Sequence, residues 1–242
     1  MGDKRVAVVT GGATGIGVAC VRELAAKGFR VGIHYRSSGD AAARLRSEIG
    51  DGFLLPADLT ATDQVDVLME RLKGETDRLD VLVNNAGIAI DADMQRMRIE
   101  QFDAQRAVLR GAWYLTKRVL RQYMLRADSG RIINISSVVG HTGNAGQIPY
   151  TMEKAAMDAL TKSLAAELRE RNILVNSIAP GFIATEMTSR LSEEVQAGIL
   201  GRISLGRIGR PAEVAEVVGF LATAGSYITG TVIHVNGGMY GG

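Results

Sequence analysis

With 242 residues, the chain is long enough to form an α/β domain with a substantial core. Hydrophobic residues make up 46% of the sequence and charged residues 22%, a balance that is ordinary for a globular protein. The 28 basic and 26 acidic residues leave a formal net charge of +2, which argues against a general electrostatic attraction to nucleic acid or to a membrane surface.

The number of cysteines and the lengths of the apolar runs indicate the cellular compartment of the protein. Cys20 is the only cysteine, so no internal disulfide can form and we expect a reducing environment. The N-terminal stretch MGDKRVAVVT has too short an apolar run for a signal peptide, and no run of about 18 apolar residues occurs. We therefore expect a cytoplasmic protein with no nucleic-acid or membrane partner.

Apolar, β-branched runs alternate with helical patterns along the whole chain, without a linker or repeat. Strands are predicted at residues 5–9, 30–35, 52–56, 80–84, 130–136, 173–178 and 231–235, and helices at 16–27, 40–49, 61–73, 99–126, 149–171 and 211–224. The strands are continuously apolar, which is typical of a parallel sheet buried on both faces. We predict a single domain over residues 1–242, a Rossmann-like doubly wound sheet of about seven strands with helices on both faces.

The first predicted strand runs into the glycine-rich stretch TGGATGIG, residues 10–17. Gly11, Gly15 and Gly17 are spaced G-x-x-x-G-x-G, which differs from the G-x-G-x-x-G dinucleotide fingerprint. Glycines let the backbone approach a ligand, and a helix N-terminus offers free N–H groups to a pyrophosphate. A tight turn without a ligand is the alternative, but the strand–helix context favours a cofactor.

Several motifs in order resemble the short-chain dehydrogenase/reductase family. They are T-G-x-x-x-G-I-G in residues 10–17, N-N-A-G in residues 84–87, Ser137, Tyr150 with Lys154, and Pro180-Gly181. The resemblance covers essentially the whole chain, and residues 227–239 are similar to the branch that reduces 3-oxoacyl thioesters on acyl carrier protein in fatty acid biosynthesis. It implies NADPH-dependent reduction to the 3-hydroxyacyl thioester. The alternatives are another small-ketone reductase or secondary alcohol dehydrogenase, and a cofactor-binding but weakly active partner subunit.

The end of the second predicted strand bears on the choice of nicotinamide cofactor. It reads His34-Tyr35-Arg36 and has no carboxylate to hold ribose hydroxyls, whereas Arg36 suits a 2′-phosphate. NADP(H) is favoured over NAD(H), although Thr14 stands where many NADP-using relatives carry a second basic residue, and a solvated arginine is the alternative. His34 is interpreted as a strand residue with a satisfied ring. By resemblance, the remaining cofactor contacts are Ile16, Asp58, Leu59, Asn85, Ala86, Gly87, Tyr150, Lys154, Pro180, Gly181, Ile183 and Thr185.

Tyr150 and Lys154 are four residues apart in a helical pattern, so they share one helix face, and Ser137 ends the preceding strand. A phenol with a pKa of about 10 needs roughly 4 kcal/mol of preference for its anion to ionise near pH 7. An ammonium about 4 Å away supplies that much at an effective dielectric near 20. The pattern predicts Tyr150 as the proton donor, Lys154 as its activator and Ser137 as a hydrogen-bond donor to the substrate carbonyl, and the family assigns the same roles. The alternative is surface decoration of a helix.

Two departures from the family pattern affect this site. Glu153 is unusual beside the lysine, and we expect it to point away from the Tyr150–Lys154 face because adjacent helix residues diverge by about 100°. Relatives carry V-N-L-x-G where residues 108–111 read VLRG, and no asparagine occurs between Asn85 and Asn134. In the family that asparagine helps hold a water linked to the lysine. A water held by backbone carbonyls is one possible substitute.

The rest of the chain suggests specificity and assembly. Residues 188–210 form an amphipathic segment that we predict to be a substrate lid. Arg171 stands where carrier-protein reductases keep a basic residue, but Asp128 falls near the place of a second one. By resemblance, the helices at 99–126 and 149–171 form a dimer interface. The last strand forms a second interface, and the two interfaces together give a homotetramer. No metal site is predicted.

Overall fold

The computed structural model describes residues 4–185 and 193–241. Seven parallel strands form one sheet in the order β3-β2-β1-β4-β5-β6-β7, which confirms the predicted doubly wound architecture. The strands are β1 (Val6–Val9), β2 (Arg30–Tyr35), β3 (Gly52–Pro56), β4 (Val81–Asn84), β5 (Ser129–Ile135), β6 (Asn172–Pro180) and β7 (Val232–Val235).

Helices connect the strands and lie on both faces of the sheet. They are α1 (Gly15–Ala26), α2 (Gly39–Ile49), α3 (Thr62–Glu75), α4 (Ile99–Val119), α5 (Leu125–Ala127), α6 (Val139–Thr142), α7 (Ile148–Glu167), α8 (Glu193–Leu200) and α9 (Pro211–Thr223). The predicted helix at 99–126 is interrupted, because Leu120–Met124 forms a π-helical turn between α4 and α5. Among the described residues, no helix is long and apolar enough to cross a membrane.

Continuous burial of the strands explains their unbroken apolar sequences. One face of the sheet packs against α1 and α9 through residues such as Leu24 and Val218, and the other packs against α3 and α4 through Leu68 and Leu115. All four of these side chains are fully buried, and each contributes on the order of 1.5–3 kcal/mol when removed from water. The two cores fix the strand ends from which the site is built.

Helix α7 ends earlier than predicted, because the chain turns before it reaches β6. The chain leaves the helix after Glu167, and Glu170 adopts a positive φ of 68° in the turn that follows. Arg171 therefore lies just before β6 rather than at the end of the helix. At the other end, Pro149 lies in the first helical turn, as expected. Backbone N–H groups in that turn have no carbonyl partner within the helix, so proline, which lacks the N–H, costs no hydrogen bond there.

A buried polar chain joins β4 and β5 to the helices that carry the site. Asn84 at the end of β4 donates to Asn134 Oδ1 on β5 at 2.8 Å and to Thr116 Oγ1 on α4 at 2.9 Å. Asn134 in turn donates to Thr161 Oγ1 on α7 at 2.8 Å. Since these three hydrogen bonds are buried, they hold α4 and α7 in a fixed register against the sheet.

Candidate active site

The strand order reverses between β1 and β4, and this switch point is where doubly wound sheets bind ligands. The glycine turn lies there. A Cβ atom on Gly17 would lie 2.1 Å from the carbonyl oxygen of Gly11, so no side chain fits. Gly11 and Gly15 adopt positive φ angles of 61° and 50°, which glycine tolerates best. The turn is therefore a close backbone cradle at the start of α1.

The N-N-A-G segment after β4 ties the glycine turn to the neighbouring strand. The amide Nδ2 of Asn85 donates to Thr10 O at 2.9 Å and to Gly11 O at 3.2 Å. The hydroxyl of Thr10 accepts from the backbone N–H groups of Asn85 and Ala86, both at 2.9 Å. These bonds hold the two loops side by side, so Gly11, Asn85 and Ala86 line one cleft. Their contacts with a cofactor stay a prediction.

His34 supports the glycine turn from β2. The Gly11 N–H donates to its Nδ1 at 3.0 Å, which fixes the tautomer in which Nε2–H donates to Ala57 O at 3.0 Å. Burial lowers the pKa of this imidazole from 6.5 to about 4, against the opposing effects of the Ala57 carbonyl and Asp58. The ring is satisfied, as predicted. Beyond that prediction, it is the acceptor that fixes the Gly11 N–H, so the ring has to stay neutral.

Arg36 and Asp58 follow β2 and β3 at the same edge of the cleft. Arg36 is exposed, with its charge available to a ligand, while Asp58 accepts hydrogen bonds from Thr60 N at 2.9 Å and Thr60 Oγ1 at 2.8 Å. Burial opposes ionisation of Asp58, but the Thr60 hydrogen bonds and the positive field of Arg36 hold the pKa of this carboxyl below its usual range. Leu59 beside it is buried, and its carbonyl lies so close to α4 that only glycine fits at Gly111.

The predicted reacting groups lie at the carboxyl end of β5 and in the first turns of α7. Lys154 is buried, and its Nζ lies 5.3 Å from the centre of the half-buried Tyr150 ring. Ser137 is half-buried at the entry to α6, and its Oγ accepts from Val139 N at 3.4 Å. Helix α6 packs on α7 at Lys154, since a Cβ on Gly140 would lie 3.1–3.3 Å from that residue's atoms. The fold brings the three segments together.

Lys154 also connects the two halves of the cleft. Its Nζ donates to Ile135 O on β5 at 3.3 Å, and a Cβ on Gly87 would come within 3.3 Å of it. Burial alone would lower the pKa of this ammonium, but Tyr150, Glu153 and Asp158 outweigh burial, and the net direction is a raised pKa. The lysine is therefore a permanent cation in a dry site.

The expectation for Glu153 is wrong. Its side chain is buried rather than turned to solvent, and its Oε1 lies 3.2 Å from Lys154 Nζ. Its Oε2 accepts from Nε2 of Gln105, a fully buried residue on α4. The 100° separation holds for the Cα–Cβ directions, but the flexible glutamate side chain curls back toward the nearest cation because a buried carboxylate is costly without a partner.

The loop after β6 forms the far wall of the cleft. Pro180 is buried at the strand end, and Gly181 packs so closely on Asn236 that a Cβ would lie 2.7 Å from its Cα. Ile183 is buried and pairs with Gly209, while Thr185 faces the glycine turn, with its Cγ2 3.5 Å from a Cβ built on Gly15. Of the predicted lid, residues 188–192 lie outside the described residues. The remainder begins with α8.

These residues fit a bound dinucleotide. Thr14 makes no side-chain cap and the first turn of α1 has no acidic residue, so the backbone N–H groups beside the glycine turn face the cleft without a competing anion from α1. The glycines keep side chains out of the path, and Ile16 is half-buried where the helix begins. The pyrophosphate would lie at this turn, the adenosine end toward Arg36 and Asp58, and the nicotinamide end toward Tyr150 and Lys154.

Sequence reasoning missed Gln105, and it underestimated Glu153 and His34. A glutamine in the middle of an amphipathic helix carries no motif, and only the geometry shows that it faces α7. Two signals were present: an acidic residue beside the motif lysine, and a missing asparagine one turn after Gln105. Together they indicate that Lys154 has a different partner from the one in the family pattern, and that it is not left without a partner.

The comparisons with known proteins agree with this geometry. A family model described as enoyl-(acyl carrier protein) reductase matches residues 11–240. Proteins named 3-oxoacyl-[acyl-carrier-protein] reductase FabG from Haemophilus influenzae and Aquifex aeolicus are each 44% identical to this chain and match 98% of it. The match covers 98% of the Haemophilus influenzae protein and 97% of the Aquifex aeolicus protein. The protein of that name from Escherichia coli K12 is 42% identical over 98% of both chains. The chain belongs to the short-chain dehydrogenase/reductase family.

Proposed function

We propose that this protein is an NADPH-dependent 3-oxoacyl thioester reductase that forms the 3-hydroxyacyl thioester. The observation that carries the proposal is the buried ammonium of Lys154, which lies 5.3 Å from the Tyr150 ring beside the N-N-A-G loop. Full-length relatives at 42–44% identity bear the corresponding name. This combination supports ketone reduction, because a carbonyl needs both a hydride and a proton source.

Each residue has a separate task in the proposed reaction. The nicotinamide, when bound, supplies the hydride to the carbonyl carbon. The hydroxyl of Tyr150 gives its proton to the carbonyl oxygen, so the C=O double bond becomes a C–OH group. Ser137 donates a hydrogen bond to the same oxygen and orients the ketone. Lys154 stabilises the phenolate that Tyr150 leaves behind.

The electrostatic contribution of Lys154 follows from its placement. The Nζ of Lys154 lies 5.3 Å from the centre of the Tyr150 ring. At a charge separation of about 5 Å and an effective dielectric near 20, a unit positive charge stabilises a phenolate by about 3 kcal/mol. The same charge in bulk water would contribute less than about 1 kcal/mol. Burial of Lys154 is therefore what makes the pair useful, and a solvent-exposed tyrosine–lysine pair would not supply the chemistry.

For the cofactor, we propose NADPH. Arg36 is exposed beyond β2, where it can pair with a 2′-phosphate, and the strand end carries no carboxylate to take ribose hydroxyls. The nearby negative charge of Asp58 reduces the preference, since its field opposes a phosphate at the same edge. Arg36 supplies the favourable interaction because its guanidinium can make charge-assisted hydrogen bonds.

The carrier of the thioester is a separate part of the proposal. We propose acyl carrier protein, on the names of the relatives. One feature of the surface favours coenzyme A instead: Arg171 pairs with Asp128 at 3.2 Å, and both side chains are about half-exposed. An arginine already paired with an aspartate offers less positive field to an acidic carrier protein. Comparing acetoacetyl thioesters of the two carriers separates these cases.

For assembly, we propose a homotetramer in which one interface lies on α4 and α7. These helices border an open groove of about 530 Å³, lined by Arg106 and Arg110 as well as by apolar and small side chains that include Leu109, Trp113 and Leu160. Trp113 is 47% exposed, which is costly for an isolated surface. Phe220 on α9 and Tyr227 in the segment before β7 are also exposed, and they are the candidates for the other interface.

The experiment is a substrate panel with each nicotinamide cofactor, followed by loss of reduced-nicotinamide absorbance. Acetoacetyl thioesters of carrier protein and coenzyme A test the proposal, simple ketones test the broader reductase alternative, and crotonyl-coenzyme A tests reduction of a carbon–carbon double bond. We expect the acetoacetyl thioesters to be reduced best, with NADPH. Cofactor binding without turnover of any compound would instead favour a weakly active partner subunit, which the absent family asparagine motivates.

A further inference from the structure

The carboxylate of Glu153 has no task in the proposed reaction. It is buried, and its Oε1 lies 3.2 Å from the Nζ of Lys154. The ammonium makes a further hydrogen bond to Ile135 O at 3.3 Å. Because the two side chains carry equal and opposite charges in a dry environment, the field that Tyr150 experiences is that of an ion pair rather than that of a lone cation.

Gln105 holds the carboxylate in place. Its Nε2 donates both to Glu153 Oε2 and, at 2.7 Å, to the carbonyl of Ile88, while its Oε1 accepts from Ile90 N at 3.2 Å. Every polar atom of this buried amide is therefore in use. A carboxamide does not exchange protons under ordinary conditions, so the row Lys154–Glu153–Gln105 is a fixed arrangement of charge and not a proton path to solvent.

The other carboxylate near the pair has a hydrogen-bond donor of its own. Asp158 lies one turn after Lys154 on α7 and accepts from Ser177 Oγ at 2.5 Å. His141 on α6 places its Nε2 2.9 Å from the other oxygen of Asp158, and its ring lies 4.7 Å from that of His234 on β7. Glu153 is consequently the carboxylate held directly against the lysine.

We propose that Glu153 is a positioning residue that anchors the ammonium of Lys154 and partly cancels its field at Tyr150. This inference rests on the proposed function. The consequence is that Tyr150 gives up its proton at a higher pH than it would beside an unpaired lysine. The hydroxyl then stays protonated at neutral pH, which is the form that ketone reduction uses, so the arrangement favours reduction over alcohol oxidation.

The variant Glu153→Gln tests this, because it keeps the shape and can still accept from Gln105 while it removes the charge. With acetoacetyl-coenzyme A and NADPH, the pH at which activity falls on the alkaline side should decrease by about one unit. Glu167→Gln is the matched control: it removes the same charge from the exposed end of α7, about 21 Å along the helix. Gln105→Met keeps the charge on Glu153, so its midpoint should not decrease.

A second readout needs no turnover. The ultraviolet difference spectrum between each protein and its Tyr150→Phe counterpart follows ionisation of this one phenol. It should titrate about one pH unit lower in the Glu153→Gln background. If no ketone is reduced, the proposed function fails while this titration still decides the role of Glu153. An unchanged midpoint in Glu153→Gln, or an equal decrease in Glu167→Gln, would overturn the inference.

Discussion

His34 makes the stability of this protein depend on pH in a defined direction. The imidazole is 3% exposed, and its Nδ1 accepts the N–H of Gly11. Protonation of Nδ1 would place a second hydrogen against that donor, and burial already opposes the charge. The folded protein therefore binds this proton only below about pH 4, whereas the unfolded chain binds it below about 6.5.

The magnitude follows from the gap between the two pKa values. From 6.5 down to about 4, at about 1.36 kcal/mol per pH unit, the unfolded state gains about 3 kcal/mol relative to the folded state. The sign is fixed because the folded pKa is depressed: this contribution is fully present above about pH 6.5 and is lost as the pH decreases toward 4. A loss of this size is a large fraction of a typical free energy of unfolding.

The assay is urea unfolding between about pH 8 and about pH 4 for the natural sequence and for His34→Asn, which keeps an acceptor near Gly11 but cannot titrate. The free energy of unfolding of the variant should depend less steeply on pH by about 3 kcal/mol over that interval. His234→Asn is the control, because burial and His141 also lower the pKa of His234 but its side chain is less buried. Parallel pH curves for His34→Asn and the natural sequence would refute the reasoning.

Three further predictions concern the cofactor cleft and the assembly. Arg36→Ala should weaken NADPH binding about tenfold or more and leave NADH binding nearly unchanged, as measured by fluorescence titration; equal losses would rule out a phosphate contact. Gly17→Ala should abolish dinucleotide binding and lower the melting temperature, because the new Cβ would lie 2.1 Å from the carbonyl oxygen of Gly11. Gly74→Ala is the control: its Cβ would enter open space on α3, so this variant should stabilise the folded protein by up to about 1 kcal/mol. Leu160→Arg should lower the mass in sedimentation velocity, and an unchanged mass would place the interface elsewhere.

The positions of most strands and of the long helices could be predicted because they depend on local pattern. Runs such as Val81-Leu82-Val83 are typical of strands buried on both faces of a parallel sheet, and the spacing of the glycines indicates where the backbone needs room for a close approach. The partner that holds Glu153 beside Lys154 could not be predicted, since it depends on which side chains of α4 face α7. The distance between Gln105 and Glu153 in sequence is 48 residues, and only the packing of the two helices brings them together.

A similar limit applies to His34. Its sequence context predicts a buried strand residue, and the structure agrees. That its Nδ1 accepts from Gly11 depends on the register between β1 and β2, which places the start of the glycine turn beside the end of β2. Register is a property of the assembled sheet, so no single segment reveals it.

The most direct test of the proposed chemistry is a single-turnover measurement of hydride transfer from NADPH to acetoacetyl-coenzyme A in Tyr150→Phe. If the tyrosine supplies the proton, NADPH should bind the variant with nearly natural affinity while the rate of transfer falls by about 100-fold to 10,000-fold. A variant that binds NADPH and transfers hydride within a few-fold of the natural rate would contradict the role assigned to Tyr150.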